Sequence, residues 1–207
     1  MYKVCWPKGY SDINLLVAMD DAIDDGVDVL SISIGGASNG FFDNSFAIGS
    51  FHAMKKGIFV ACSAGNSGPD LYTVQNTTPW IMTAAIANLG YGAGQIDPVS
   101  ALHPGLIYDL SKFDYIRFLC EEGYSGTTLR LFTKDNTDCA SVPDIGGDDS
   151  LNYPSMYYQF QNPNTSINVV FHRTITNVGL KNSIYKATVK ALRNLKVSII
   201  LNVLAFS

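Results

Sequence analysis

Charge is scarce in this sequence of 207 residues: Asp, Glu, Lys and Arg make up 15% against 47% hydrophobic residues, and the net charge is only −4. A balance of that kind excludes a disordered chain and points to a globular one of one or two domains. There is no basic run, so nucleic acid is not expected as a partner. There is no apolar segment of the ~18 residues that a membrane span requires. The first residues, Met1 to Pro7, lack the basic region and apolar stretch of a signal peptide, and read instead as the interior of a domain, entered partway along a strand. Histidine is also rare, at His52, His103 and His172 only. No metal site and no cofactor is expected.

What is present centres on Ala61 to Pro69. The apolar run Ile58-Phe59-Val60-Ala61 reads as a short buried strand. Gly65 and Gly68 flank Asn66, and Pro69 follows. Glycines allow a tight turn there, which sets the Asn66 side chain at the end of a strand, the edge of a parallel sheet where ligands gather. An amide so placed can donate to a developing oxyanion. It can equally cap its own turn, and locally that plainer reading is the stronger.

Along the chain, Tyr2 to Trp6 reads as a strand. Ser11 looks like the N-cap of a helix carrying Ile13, Leu16, Val17, Met19, Ala22 and Ile23, which Gly26 ends. Val27 to Ile34 is a strand. Asp43 or Asn44 starts a helix through Phe46, Ile48, Phe51, Ala53 and Met54, and Gly57 stops it. The strand at Ile58 follows, and Trp80 to Ala87 could supply another. Strand, helix, strand, helix, strand with short connections implies parallel strands and right-handed crossovers. Both crossover helices then fall on one sheet face, leaving the other bare. Ser111 caps a helix bearing Phe113, Tyr115, Ile116, Phe118 and Leu119. Glu121 to Ser150 is polar and reads as extended. From Leu151 the pattern is all-β, with strands expected at Val169–Gly179, Tyr185–Ala191 and Leu195–Leu201. About four strands are legible where a sandwich needs about seven, so poor folding of the chain alone is expected.

Gly26 to Gly36, Ser63-Ala64-Gly65-Asn66-Ser67-Gly68-Pro69 and Tyr91 to Pro98, in this order, closely resemble the plant-type subtilisin-like serine proteases. The resemblance covers nearly the whole chain. It implies a partial doubly wound α/β peptidase domain over residues 1–118, a connector over 119–150, and a partial fibronectin type-III-like sandwich over 151–207. It also implies that Asn66 is an oxyanion-hole donor, and that Ser33, Ile34 and Gly35 form the strand edge that pairs with a peptide substrate. Cys120 and Cys139 lie in a polar, loop-rich stretch with spacing that suits a loop-closing disulfide, which the resemblance supports. Cys5 and Cys62, in apolar runs, read as buried thiols. Asn76-Thr77-Thr78 and Asn164-Thr165-Ser166 are glycosylation sequons, and with the disulfide they lean towards an extracellular protein.

Subtilisin-type catalysis needs a Ser nucleophile, a His base and an Asp that orients it. In the family these sit in Asp-Thr-Gly, Gly-His-Gly-Thr-His and Gly-Thr-Ser-Met, and none of those motifs occurs here. Asp24-Asp25-Gly26 is a helix end, Gly126-Thr127-Thr128 lacks the serine, and the three histidines each read as structural. The family's remaining sheet, an inserted domain and the serine-bearing helix would fall between Trp80 and Tyr91, which are joined here by residues 81–90 alone. The expectation is therefore an internally truncated relative of serine endopeptidases, inactive as this chain. The alternative is a non-catalytic protein-binding remnant that uses the substrate-strand groove or the β-module.

Overall fold

The computed structural model of the chain describes residues 1–35, 40–67, 73–84, 98–143, 151–156, 158, 166–191 and 195–207. Gly68 and Pro69, most of the 81–90 junction, the Tyr91–Asp97 segment and Asn164 lie outside the described residues. The chain divides into two compact units, residues 1–95 with 110–151 and residues 96–109 with 152–207.

The first unit opens on a hairpin where one strand through Trp6 is expected. Pro7 and Lys8 turn the chain, and Gly9 takes φ 100°, so β1 (Cys5–Trp6) pairs antiparallel with β2 (Gly9–Tyr10). Helix α1 (Asp12–Asp24) starts where expected, with Ser11 Oγ accepting from the Asn14 amide at 3.3 Å. Leu15, Met19 and Ala22 form its buried stripe at helical spacing. β3 (Val29–Ile32) follows, then a 3-10 turn at Phe41–Asp43 and α2 (Ser45–Lys55), capped by Asn44 through the Ala47 amide at 3.2 Å. β4 (Phe59–Ser63) and β5 (Met82–Ala84) complete a parallel sheet of order β3-β4-β5, with Val29 opposite Phe59 and Ala61 opposite Met82.

The sheet's pleat sorts its side chains. Leu30, Val60 and Cys62 face α1 and α2 and pack with Leu15, Met19, Phe46 and Ala53. Val29 and Phe59, on the opposite face, are 57% and 52% exposed. Both crossover helices thus cover one face, as right-handed crossovers in one direction require. The two helices approach closely because Gly49 of α2 lies against Met19, whose Sδ would be 2.6 Å from any added Cβ.

The chain then passes through α3 (Pro98–Leu102) and β6 (Leu106–Ile107), which belong to the second unit, and returns as α4 (Lys112–Glu121) and α5 (Gly126–Thr133). Ser111 and Asp114 form a capping box on α4. The extended reading of Glu121 to Ser150 is corrected by α5. Leu129 and Phe132 of that helix are buried with Ile116 and Leu119 of α4, Ala47 and Phe51 of α2, and Trp80. Trp80 is at the centre, its ring 5.1 Å from Phe51 and 5.6 Å from Phe132. Its indole Nε1 donates to the Ala47 carbonyl at 3.0 Å and to Ser50 Oγ at 2.9 Å. α2 is therefore buried on two sides, against the sheet and against α4 and α5. Two of its side chains also serve the end of α5. His52 Nε2 donates to the Phe132 carbonyl at 2.9 Å, and Lys55 Nζ donates to the Thr133 carbonyl at 2.6 Å. Cys120 and Cys139 are joined, S–S 2.12 Å, tying α4 to a 3-10 turn at Cys139–Ser141. Cys62 is buried, but Cys5 is exposed, because it sits in a two-residue strand of a hairpin whose residues 5 to 9 are all exposed.

In the second unit β6 pairs antiparallel with β7 (Thr176–Asn177), and β8 (Ile184–Lys186) with β9 (Val203–Ala205). The strand expected over Val169–Gly179 shrinks to β7, and the one expected over Leu195–Leu201 gives way to β9 a few residues later. Polar ties do much of the holding. Asn152 donates to the carbonyls of Asp109 (3.1 Å) and Thr174 (2.7 Å) and accepts from the Thr174 amide at 2.9 Å. Arg173 donates to the carbonyls of Tyr153, Ser155 and His172.

Candidate functional site

Parallel strands bring their carboxyl ends to one edge, and here that edge holds Ser33-Ile34-Gly35 after β3 and Ala64-Gly65-Asn66 after β4. Gly65 adopts φ 88°, a left-handed conformation that favours glycine, and it turns the chain so that Asn66 is exposed. Ser33 and Gly35 are exposed as well, while Ile34 is half-buried. The expected oxyanion donor and the expected substrate edge therefore share one end of one sheet.

A third segment joins them. The Gln75 amide N–H donates to the Ala64 carbonyl at 3.0 Å, drawing residues 75 and 76 across the edge. Asn76, in the left-handed region at φ 55°, sends its Nδ2 to the Ile34 carbonyl (2.8 Å) and the Ser63 carbonyl (2.9 Å). One side-chain amide thus ties the ends of β3 and β4 together where their backbone ladder stops. Thr83 Oγ1 donates to the Asn76 carbonyl and fixes the bridge to β5. The glycan expected at Asn76 does not fit this arrangement, because Nδ2 is the atom a glycan would take and both its hydrogens are engaged.

Gln75 lies over the two glycines of the edge. A Cβ on Gly35 would come within 1.9 Å of Gln75 Oε1, and one on Gly65 within 2.9 Å of its Cδ. A side chain at Gly35 would have to turn the Gln75 amide aside, and one at Gly65 would in addition be strained by its positive φ. Tyr10 of the hairpin donates its hydroxyl to the Gly35 carbonyl at 3.2 Å. Gln75, Asn76 and Tyr10 are absent from the set of residues that sequence reasoning assigns to the site. The paired glycines at strand ends carried a signal that something packs on them, but its partner is far along the chain. At Asn76 the local signal is that of a sequon, which hides its bridging role.

The histidines, Asp24 and Cys62, none of which is expected to take part, lie away from this edge or in the second unit. His52 is on α2, half-buried, its Nε2 committed to the Phe132 carbonyl. Burial holds its pKa below the usual value, while the Phe132 carbonyl pulls the other way. His103 and His172 belong to the second unit. Asp24 ends α1, exposed. Cys62 beneath the sheet has its thiol pushed up to about 12 by burial, which leaves it uncharged and unreactive. Among the described residues no group of His, Cys, Asp and Glu could hold a metal ion, and no helix is long and apolar enough to cross a membrane.

A family model described as the subtilase family matches residues 1–116, and one described as a fibronectin type-III domain matches residues 150–207. Curated relatives from Arabidopsis thaliana include "Subtilisin-like protease SBT4.15", 23% identical over 466 residues that take in 99% of this chain and 61% of the relative. "Subtilisin-like protease SBT4.6" is 42% identical over 135 residues, 62% of this chain and 18% of the relative. "CO(2)-response secreted protease" is 57% identical over 88 residues, 41% of this chain and 11% of the relative. The chain thus spans less than two thirds of the length of these relatives. In the first alignment 466 residues are set against a chain of 207, so that relative carries sequence inside the matched span that this chain does not.

Proposed function

This chain belongs to the subtilase family, and on that premise we propose that it is a non-hydrolysing member which keeps the family's peptide-holding edge without its cutting groups. The family's substrates are proteins, so the ligand is a polypeptide in extended form. The observation that carries the reading is the separation of two kinds of residue. Ser33, Ile34, Gly35 and Asn66 stand together at the carboxyl ends of β3 and β4, whereas the three triad motifs are missing from the sequence and His52, on α2, is bonded to α5. An oxyanion donor and a binding edge alone support only the residual catalysis left when the triad is removed. An edge strand presents unpaired N–H and C=O groups to which a peptide can add as a further strand. The Cys120–Cys139 bond suits an oxidising compartment, and one relative is named as secreted, which supports an extracellular setting. Asn164 is the remaining sequon at which a glycan would be sought.

The test has two arms. Purified chain is incubated with a fluorophosphonate probe and a general protein substrate; no labelling and no turnover are expected, and inhibitor-sensitive turnover would overturn the reading. The same chain is titrated into a fluorescein-labelled tetra-alanine peptide amide and followed by anisotropy. Saturable binding is expected, and a flat titration would reduce the protein to a remnant without the retained edge.

A further inference from the structure

We infer that Tyr10 is a gate on this peptide edge: its hydroxyl occupies the backbone position that an incoming strand needs, so the site is closed by the chain's own hairpin. The inference rests on the peptide-binding reading above. Carbonyls along an extended chain alternate sides. The Ile34 carbonyl shares the Asn76 amide with the Ser63 carbonyl of β4, so it faces the neighbouring strand. The Ser33 and Gly35 carbonyls therefore face the open side of β3, which among the described residues is the outer strand of the sheet order β3-β4-β5. Tyr10 takes the Gly35 carbonyl from that open side at 3.2 Å. A peptide laid along the edge donates its own N–H to the same oxygen from the same side, so it must displace the phenol that already stands there.

The gate is built to move. Tyr10 sits on a hairpin with two residues in each strand, and a lone two-stranded hairpin is marginally stable in water. Residues 5 to 9 of that hairpin are all exposed, so little apolar surface is lost when it swings away. Gln75, by contrast, is held over Gly35 and Gly65 by its backbone bond to Ala64, and stays as part of the edge. Opening therefore costs one exposed hydrogen bond and the packing of the half-buried Tyr10 ring, and the cost appears as weakened peptide binding.

Cys5 lies directly opposite Tyr10 in the hairpin register, is exposed and is unpaired, whereas Cys62 is buried with its thiol pushed up to about 12. An environment-sensitive dye therefore attaches selectively at Cys5 and reports hairpin movement. The labelled tetra-alanine peptide amide is titrated into the full chain and into Tyr10→Phe, with circular dichroism confirming that the variant is folded, and into Tyr10→Ala as a second variant. Removing one hydrogen bond that must otherwise be broken should tighten binding by about 2- to 10-fold in Tyr10→Phe, and at least as much in Tyr10→Ala. Unlabelled peptide should change the Cys5 dye signal with the same midpoint as the anisotropy curve. Equal affinities in all three chains, or binding with no change at Cys5, would overturn the gate while leaving the peptide edge standing. No saturable binding in any of the three would overturn the edge itself, and the gate with it.

Discussion

Every buried hydrophobic side chain among the described residues, from Leu15 to Phe132, belongs to the first unit. In the second unit Leu180, Ile184, Ile200 and Leu201 are between 74% and 88% exposed. Composition does not separate the two, since both are rich in Val, Ile, Leu and Phe. Layering does. In the first unit a helix layer lies on a three-stranded sheet and two more helices lie on the helix layer, so α2 has partners on two sides. In the second unit the described strands form separate pairs, β6 with β7 and β8 with β9, and a pair of strands offers no second wall. Apolar residues give a core only where two elements face each other. A family match over a segment does not supply the facing element.

The largest effect that bears on this comparison is expected at Phe51. It is fully buried and touches the rings of Trp80 and Phe132. Phe51→Ala removes the contacts of α2 with Trp80 and with Phe132 of α5, and should cost about 3–5 kcal/mol. Urea unfolding followed by the fluorescence of buried Trp80 measures it. A loss below 1 kcal/mol would mean that the first unit is no better packed than the second.

The disulfide comes next. Its partners are 19 residues apart, and closing a loop of that length contributes about 3 kcal/mol in the chain-entropy model. Cys120→Ser together with Cys139→Ser should lower the urea midpoint of the first unit and leave the second unchanged. Thiol labelling of the native chain should modify Cys5 and spare Cys62. Modification of Cys120 or Cys139 without reductant would show that the bond is not formed.

Acid should act on the first unit in two steps, both at the junction of α2 and α5. His52 has its pKa lowered, so the unfolded chain binds a proton near pH ~6.5 while the folded chain resists it. Stability is complete above that pH and declines as the pH falls through it to the folded value. At Asp135 burial alone would raise the carboxyl. Lys55 Nζ, 2.6 Å away, and Thr137, through its side chain and its amide, outweigh it and hold the carboxyl well below the usual carboxylate range. The unfolded carboxyl protonates near pH ~4, so a further share of stability is lost below that pH, towards the folded value. Both groups are partly exposed, so each step should be about 1 kcal/mol or less. Thermal melts from pH 8 to 3 should show both steps; His52→Gln should flatten the upper and Asp135→Asn the lower.

Much of the first unit was legible because its signals are local. Ser11, Asn44 and Ser111 cap their own helices through neighbours three residues on, and Gly26 and Gly57 stop two of them with positive φ. α5 was not legible. It begins Gly126-Thr127-Thr128, which are poor helix formers, and what stabilises it is burial of Leu129 and Phe132 against Trp80 and Phe51, distant in sequence. β9 was displaced because the apolar run 197–206 alternates equally well in several registers, and only pairing with Ile184–Lys186 selects Val203–Ala205. The site divides the same way. Asn66 and Ser33–Gly35 are local motifs, whereas Asn76, Gln75 and Tyr10 reach the edge from 42, 40 and 25 residues away, at Ile34, Gly35 and Gly35.

The smallest effect on stability is expected where the comparison is sharpest. Val197 to Phe206 contains no charged residue and no proline, and Ile200 within it is 88% exposed. An uncharged apolar run of this kind beside a two-stranded ribbon is a template for pairing with other chains. Ile200→Lys adds a charge where nothing is packed, so the unfolding midpoint should shift by no more than about 0.5 kcal/mol in equivalent stability. Self-association should nevertheless fall, because a lysine opposes edge-to-edge addition. Light scattering against concentration and a melt on the same samples read the two quantities separately. A large drop in melting temperature would show that Ile200 is packed in the folded protein. That would put a second wall in the second unit after all. Unchanged scattering with an unchanged melt would instead move the source of association to the bare sheet face at Val29 and Phe59, in the first unit.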